Sequence, residues 1–321
     1  MTPQVVHSDV NSFAQDRVNL TRDRVQKHRD QVNALRDRLA AKIKDDPDFD
    51  LVKMLHAGSV AKGTALSTIN DLDVAVYVKK ASTPSPEDEL LDWLADRLRE
   101  ANPQLHRDQF SAGTHCVRVS FRGTGLDVDV VPVLYEGDPD DRGFLLSRDT
   151  GEWLETSIRL HLDFIRKRKS QSPNHFAQVI RLAKWWVNNQ KTLRPGFRFK
   201  SFMIELICAH LLERGQTFSD YPRAMESLYT YVVKSGLGER IVFTDYYPIS
   251  ALPSPDGSPI QIYDPVNPNN NVAANYSEAE RRAIVEAAND VLDALTEAHH
   301  SDTKGRAVGL WKDVLGPSFK A

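Results

Sequence analysis

Two short apolar runs that carry aspartates at alternate positions constrain the fold of this 321-residue chain more than any other feature. The run "DLDVAVYV" begins with Asp71 and Asp73, and the run "LDVDVVPVLY" contains Asp127 and Asp129. Side chains two positions apart on a strand point to the same face of a sheet. Each run therefore predicts a buried strand with two carboxylates on one face, and such carboxylates repel one another unless a cation lies between them.

A small-residue turn precedes the first run. Eleven residues separate Ser59, which follows Gly58, from Asp71. Glycine lets backbone amides approach a phosphate, and the serine hydroxyl adds a donor. A few hard oxygen ligands suit magnesium, and two magnesium ions about 3.5–4 Å apart can clamp the oxygens of a phosphoryl transfer. An Asp-x-Asp beside a strand is more often only a turn with solvated acids, but the combination of features indicates phosphate chemistry.

The character of the chain changes near residue 150. Before it, "LVKMLHA", the two aspartate runs and "HCVRVSF" predict strands, and a helix is expected from Pro86. An acidic turn at 45–50 is expected to end one long helix that starts at Phe13 and reaches Ile43. After residue 150, helices are predicted at 155–169, 173–191, 200–213, 221–235 and 277–298. We expect an α/β lobe with a mixed sheet at 1–150, including the long N-terminal bracing helix, and a helical lobe at 151–321.

Composition excludes several classes of protein. The net charge is −3, from 41 basic and 44 acidic residues, whereas proteins that bind long nucleic acids are usually basic. No apolar run is long enough to span a membrane, and the first residues lack an apolar signal core. Two cysteines, Cys116 and Cys208, supply neither a disulfide framework nor a four-cysteine zinc site. These features favour a cytoplasmic protein.

A family resemblance rests on longer segments. The string "GSVAKGTALSTINDLDVAVYV" resembles oligoadenylate synthetases and the cGAS/DncV-like nucleotidyltransferases (CD-NTases) of CBASS anti-phage systems, within the DNA polymerase beta superfamily. The segments "VIRLAKWWVNNQ", "KSFMIELICAHLLE" and "IYDPVNPNNNVAANYSEAE" are similar to the helical lobe of these enzymes, and both ends of the chain resemble the CdnC clade. The resemblance implies a polymerase-beta-type lobe, an oligoadenylate-synthetase-like helical lobe and an active site in the cleft between them.

The resemblance also implies roles for individual residues. It makes Asp71, Asp73 and Asp129 the catalytic, metal-binding triad with two magnesium ions, and leaves Asp127 as an alternative helper. It implies that the donor nucleotide is bound by Gly58, Ser59, Lys184, Ser201 and Phe202, the last stacking on the base. From spacing alone, Lys184 shares a helix face with Arg181, which fits either a phosphate grip or an exposed basic face. Taken alone, Phe202 is more typical of a core residue.

The implied function is a magnesium-dependent nucleotidyltransferase that makes a cyclic oligonucleotide second messenger from ATP and releases pyrophosphate, in anti-phage defence. Cyclic tri-AMP is the favoured product. The alternatives are a linear oligoadenylate, modification of an RNA acceptor, or an inactive binding module, which the complete set of acids disfavours. A HORMA-domain activator protein is implied as a partner, and a nucleic-acid activator stays open.

Overall fold

The computed structural model describes residues 3–44, 50–79, 83, 89–147 and 151–321. Residues 45–49 of the acidic turn expected at 45–50, and the helix start expected at Pro86, lie outside the described residues. The chain forms two compact units, one of Leu20–Asp163 and one of Met1–Asn19 together with Phe164–Ala321. The expected division into 1–150 and 151–321 differs from these units at both the N-terminus and the boundary.

The unit Leu20–Asp163 is built on a mixed sheet. Its strands are β1 (Leu51–His56), β2 (Asp71–Lys79), β3 (Phe110–Ala112), β4 (Val117–Phe121), β5 (Leu126–Tyr135), β6 (Gly143–Leu146) and β7 (Trp153–Thr156). The order is β1-β2-β5-β4-β3, with β6 on β5 and β7 on β6. The pairing of β2 with β5 is parallel, and the other ladders between the strands of this sheet are antiparallel.

Two helices cover one face of this sheet. They are α2 (Arg22–Ile43) and α4 (Leu90–Ala101), whose apolar stripes include Leu35, Leu39, Leu94 and Leu98. Alternate side chains of β2 and β5, such as Val76, join these leucines in the main core, as the period of two predicts. The other face has a smaller apolar cluster of Ala75, Tyr77 and Val133. A five-residue helix, α3 (Gly58–Lys62), follows β1.

The long helix predicted from Phe13 to Ile43 is interrupted. The structure has α1 (His7–Phe13), a π-helical turn at Ala14–Val18, and then α2. Thr21 restarts the helix, because its hydroxyl accepts a hydrogen bond from the amide of Arg24 at 3.4 Å. The break places α1 in the other unit, where the Phe13 ring lies 5.9 Å from Trp185 and 5.3 Å from Phe319.

The unit that contains Phe164–Ala321 is helical. Its helices are α1, most of α5 (Ile158–Gln171), α6 (Phe176–Leu193), α7 (Ser201–Glu213), α8 (Tyr221–Ser235), α9 (Glu278–His299) and α10 (Lys304–Leu315). The five predicted C-terminal helices are present, but the first was expected to start at Glu155. That residue lies in β7 instead, because it pairs with Phe144 of β6. Among the described residues, no helix is long and apolar enough to cross a membrane.

Candidate active site

The turn after β1 explains why a glycine occupies position 58. Gly58 has a φ of +63°, a conformation that L side chains rarely adopt. A Cβ atom at this position would lie 1.7 Å from Oδ2 of Asp73, which is far inside van der Waals contact. The amide of Ala57 donates a hydrogen bond to the Asp73 carbonyl at 2.8 Å. The backbone of the turn therefore lies directly against the Asp73 carboxylate.

Ser59 follows in α3, which was not among the predicted elements. Ser59 is partly exposed, and its carbonyl accepts a hydrogen bond from the amide of Thr64 at 2.8 Å. The helix ends at Gly63, whose φ of +72° is again left-handed. A tight turn thus brings the chain from β1 towards β2, while phosphate contacts by Gly58 and Ser59 stay a prediction.

The parallel pairing of β2 and β5 brings the two aspartate pairs side by side. Asp71 is in register with Asp127, and Asp73 is in register with Asp129. Residues in register on neighbouring strands point to the same face, so the four carboxylates share one side of the sheet. Asp71 is exposed and Asp129 is buried, with a relative exposure of 9%. The structure therefore brings the predicted triad together on adjacent strands.

Arg118 on β4 holds Asp129 in a two-pronged ion pair. Its Nε lies 2.8 Å from Oδ1 and its Nη2 lies 2.8 Å from Oδ2 of Asp129. The two residues are partners in the β4–β5 register, and the paired carboxylate raises the pKa of the Arg118 guanidinium. Bidentate pairs of this kind are short and strong. In this structure Asp129 is therefore neutralised by a residue of the same sheet.

Arg118 was not among the residues predicted for the site. A signal was present, because Val117 and Val119 are buried and the alternation puts Arg118 on the opposite face from them. The face itself could be identified as the carboxylate face only from the β4–β5 register, which a single sequence does not supply.

Cys116 lies beside the same carboxylates and stays a thiol at neutral pH. Burial raises the pKa of its thiol to about 11, and the charges of Asp129 and Asp73 add to the shift. A thiolate is the nucleophilic form of cysteine. Cys116 is thus an uncharged neighbour of the site rather than a nucleophile.

The donor chemistry of the triad fits a divalent metal. Asp71, Asp73 and Asp129 offer carboxylate oxygens, which magnesium prefers. Within the part of the chain that the structure describes, no three His, Cys, Asp or Glu side chains are grouped closely enough to hold a metal ion. In this structure both oxygens of Asp129 are engaged by Arg118 instead. The assignment of the triad as metal ligands stays a prediction.

In the helical unit, Lys184 of α6 is buried against Glu205 of α7. Its Nζ lies 2.6 Å from Oε1 of Glu205, and the two side chains are only 5% and 3% exposed. This ion pair was not predicted, because nothing in the local sequence specifies which helix packs against which. Ser201 is exposed at the first position of α7, and Phe202 is half-buried. Nucleotide contacts by these residues also stay predictions.

Arg181 and Lys184 have different partners although they are three residues apart on α6. The Nε of Arg181 donates to Oδ1 of Asn19 at 2.7 Å, and its Nη2 donates to Oε1 of Gln178 at 2.7 Å. The pair of cations expected from spacing is therefore divided between two environments, one polar and one buried.

Comparison with known proteins identifies the family. Residues 5–168 match the model of the Second Messenger Oligonucleotide or Dinucleotide Synthetase (SMODS) domain. The cyclic AMP-AMP-AMP synthase of Escherichia coli strain MS 115-1 is 50% identical over 319 residues, which are 99% of each chain. The chain belongs to the SMODS family. The predicted resemblance to CD-NTases is thereby confirmed, and the protein is a nucleotidyltransferase of this family.

Solved structures agree with the SMODS assignment. The structure of E. coli MS115-1 CdnC with ATP is similar at a TM-score of 0.92 and 50% identity, covering 99% of this chain and 100% of that one. The complex of the same CdnC with HORMA-deltaN is similar at a TM-score of 0.91, with 50% identity and 99% coverage of both chains. These matches confirm the predicted fold class, a mixed sheet with helices and a helical lobe. SMODS nucleotide cyclases are generally metal-dependent.

Proposed function

We propose that this protein condenses ATP into cyclic tri-AMP and releases pyrophosphate, as an alarm in CBASS anti-phage defence in the cytoplasm. The observation that carries the proposal is the 50% identity, over 99% of both chains, to a cyclic AMP-AMP-AMP synthase. Identity that extends over the whole length includes the helices of the second unit as well as the sheet. The geometry of β2 and β5 supports the same chemistry, because it gathers carboxylates beside a glycine turn.

We propose that Asp71, Asp73 and Asp129 hold two magnesium ions. When bound, magnesium supplies charge neutralisation for the triphosphate and for the oxygens that attack and leave. The chain's own part is to orient the acceptor hydroxyl towards the α-phosphorus and to remove the hydroxyl proton. We assign the removal of the proton to Asp129. The new bond joins the hydroxyl oxygen to the α-phosphorus as the bond to pyrophosphate breaks. Arg118 must release Asp129 before this step, because its guanidinium engages both carboxylate oxygens.

Contacts to the donor nucleotide are proposed for five residues, Gly58, Ser59, Lys184, Ser201 and Phe202. The support for Gly58 is that its backbone has no Cβ and lies against Asp73. For Lys184 the support is the family resemblance, since its ammonium group is buried and pairs with Glu205 in this structure. Positioning of the donor nucleotide supplies much of the rate in phosphoryl transfer.

We propose that a HORMA-domain protein activates the enzyme. The support is that the similar E. coli CdnC is known in a complex with HORMA-deltaN. Activation by a partner also suits an enzyme whose product signals infection, because constant synthesis would be toxic.

The test is to identify the product. The protein is incubated with magnesium and each triphosphate singly, then with all four, with and without a cognate HORMA protein. Phosphatase treatment and mass spectrometry follow. We expect a phosphatase-resistant ring of three adenylates, and more of it when the HORMA protein is present. A linear oligoadenylate, or AMP added to an RNA acceptor, would replace the proposed product with the corresponding alternative.

A matched pair of variants connects the product to the site. Asp73→Asn removes a predicted metal ligand, whereas Asp108→Asn removes an exposed aspartate whose side chain pairs with Arg122. We expect the ring to disappear in the first variant and to persist in the second. Near-normal synthesis by Asp73→Asn would contradict the assignment of the triad.

A further inference from the structure

A small cavity of about 200 Å³ lies within the helical unit. It is lined by residues that precede α1, by the start of α8, by the end of α9 and by a tryptophan of α10. The apolar side chains Val5, Leu295, Ala298 and Trp311 are among them, and each residue is only 3% to 6% exposed. The deep part of the cavity is therefore an apolar surface of aliphatic and aromatic groups.

The indole ring of Trp311 is fixed in this deep part. It stacks on the ring of Phe319, with the ring centres 5.6 Å apart and an angle of 26° between the planes. Phe319 is itself fully buried, and its ring also lies 5.3 Å from the ring of Phe13. A ligand that enters the cavity therefore meets an ordered apolar wall, and little free energy is spent on arranging that wall.

Charged side chains of both signs line the mouth of the same cavity. Arg223 and Glu226 of α8 are three positions apart, so they share a helix face, and both are exposed. Among the described residues, neither side chain has an ion-pair partner, although their spacing permits a pair. Asp220 adds a second carboxylate, whose Oδ1 accepts a hydrogen bond from the amide of Arg223 at 3.0 Å. The mouth thus offers a guanidinium and two carboxylates to one ligand, beside the exposed His299.

Contacts between the lining elements hold the mouth in place. The amide of Tyr221 donates a hydrogen bond to Nδ1 of His7 at 3.3 Å, and the two rings lie 4.2 Å apart. The Nζ of Lys304 lies 3.4 Å from Oδ1 of Asp9. These contacts join α1 to both α8 and α10, so the walls of the cavity are formed before any ligand enters.

We propose that this cavity binds a free amino acid with an apolar side chain. A ligand that carries only a positive charge would face Arg223, and one that carries only a negative charge would face Asp220 and Glu226. An amino acid carries an ammonium group and a carboxylate on one carbon, so each charge can meet its opposite across charge-assisted hydrogen bonds. Its side chain would then occupy the apolar deep part.

The size and place of the cavity agree with such a ligand. Sites for drug-sized ligands enclose about 300–1,000 Å³, so this smaller cavity suits a single amino acid and is too small for a nucleotide. None of the residues assigned to the reaction lines it. The site is therefore separate from the proposed synthesis.

The experiment measures binding of L-leucine to the protein by calorimetry, in a buffer with EDTA and without nucleotide. The comparison ligands are 3-methylbutylamine, which lacks the carboxylate, and 4-methylpentanoate, which lacks the ammonium group. We expect saturable binding of L-leucine, and binding about tenfold weaker or less for each comparison ligand, because each loses one charge-assisted contact. If either comparison ligand binds as tightly as L-leucine, the assignment to an amino acid is wrong.

Two variants remove one charge each from the mouth. Arg223→Gln and Glu226→Gln should each weaken L-leucine binding about tenfold or more. The controls are Arg282→Gln and Glu286→Gln, which change exposed positions of α9 outside the cavity. We expect the controls, and Asp73→Asn, to bind L-leucine as the wild type does. The proposal is overturned if the wild type shows no saturable binding, or if the controls weaken binding as much as the two mouth variants. Neither result would bear on the synthesis of cyclic tri-AMP, which is measured separately.

Discussion

At the scale of single residues, Arg118 decides what the candidate metal site can do without nucleotide. Both oxygens of Asp129 are engaged by its guanidinium, and the Arg118 side chain is itself 46% exposed. An exposed partner can leave more easily than a buried one, because water replaces the lost contact. The pair is therefore suited to open when a triphosphate offers the arginine another anion.

Removal of Arg118 should make the carboxylates available to a metal. We expect Arg118→Gln to bind Mn²⁺ about tenfold more tightly than the wild type without nucleotide, since one charge-assisted pair no longer competes. Free Mn²⁺, measured by electron paramagnetic resonance, gives the affinity. Arg122→Gln is the control, because Arg122 pairs with Asp108 instead. Equal Mn²⁺ affinity of both variants would show that Arg118 does not compete with the metal.

The candidate site could be predicted in part from single residues. Asp-x-Asp alternation and the glycine turn located the carboxylates, because both are local features of sequence. The Arg118–Asp129 and Lys184–Glu205 pairs could not be found, since each joins elements whose register or packing is set by the whole fold. Lys184 illustrates the consequence: its spacing from Arg181 left open a phosphate grip or an exposed basic face, and its side-chain exposure of only 5% excludes the exposed face.

At the scale of elements, the Gly58 turn should tolerate no side chain. In Gly58→Ala, the new Cβ would collide with the Asp73 carboxylate and displace it. A misplacement of about 1 Å can lower a rate about a hundredfold, so we expect a loss of synthesis of that order. Gly125→Ala is matched in backbone conformation, with a φ of +65°, and its Cβ would meet nothing within 4 Å.

The two glycine variants distinguish the effect of backbone strain from the effect of displacing the Asp73 carboxylate. Gly125→Ala should lower the free energy of unfolding by about 1–2 kcal/mol, the penalty of a left-handed alanine, and Gly58→Ala should lose at least as much because its Cβ also meets Asp73. Only Gly58→Ala should also lose synthesis. If Gly125→Ala loses synthesis to the same extent, the effect belongs to the backbone and not to the Asp73 carboxylate.

The contact between α6 and α7 should depend on its buried ion pair. Lys184→Met leaves Glu205 without this cation in a buried place, and Glu205→Gln leaves Lys184 without this anion. Each change should lower the free energy of unfolding, measured in urea, by about 3–5 kcal/mol. The double variant should lose clearly less than the sum of the two. Additive losses would mean that the pair contributes no mutual stabilisation. A Lys184 variant is thus a poor probe of ATP binding alone.

The presence of the helices and strands was predicted better than the residues at which they begin and end. The helix α8 was predicted with the bounds that it has, because Asp220 caps it and Gly236 follows it in the left-handed conformation. The break between α1 and α2 was missed, because the apolar positions that predicted the helix, Val25 to Ile43, all lie after the break. The strand β7 was missed because its pairing with β6 overrides the helical pattern that follows Glu155.

At the scale of the whole molecule, the first residues belong to the helical unit. Phe13 is only 4% exposed, and its ring lies against Trp185 and Phe319. Phe13→Ala should lower the free energy of unfolding by about 3–5 kcal/mol. We expect faster amide exchange in α6 and α10 but unchanged exchange in β2 and β5.

Leu94→Ala is the converse control for Phe13→Ala. Leu94 of α4 is fully buried in the core under the sheet. This variant should accelerate exchange in β2, β5 and α4 and leave α6 unchanged. Mass spectrometry of exchanged peptides measures both variants. If Phe13→Ala accelerates exchange equally in both units, residues 1–19 are not specific to the helical unit.

The long separation between Phe13 and its ring partners has a consequence during synthesis on the ribosome. The sheet unit, Leu20–Asp163, is continuous in the chain and can fold as soon as it emerges. The segment that contains Phe13 emerges before the sheet unit, yet its ring partners Trp185 and Phe319 emerge only after that unit. In the nascent protein, the sheet with its four aspartates can therefore be folded while α1 still lacks the residues against which it packs. The helical unit is completed only after Phe319 has emerged.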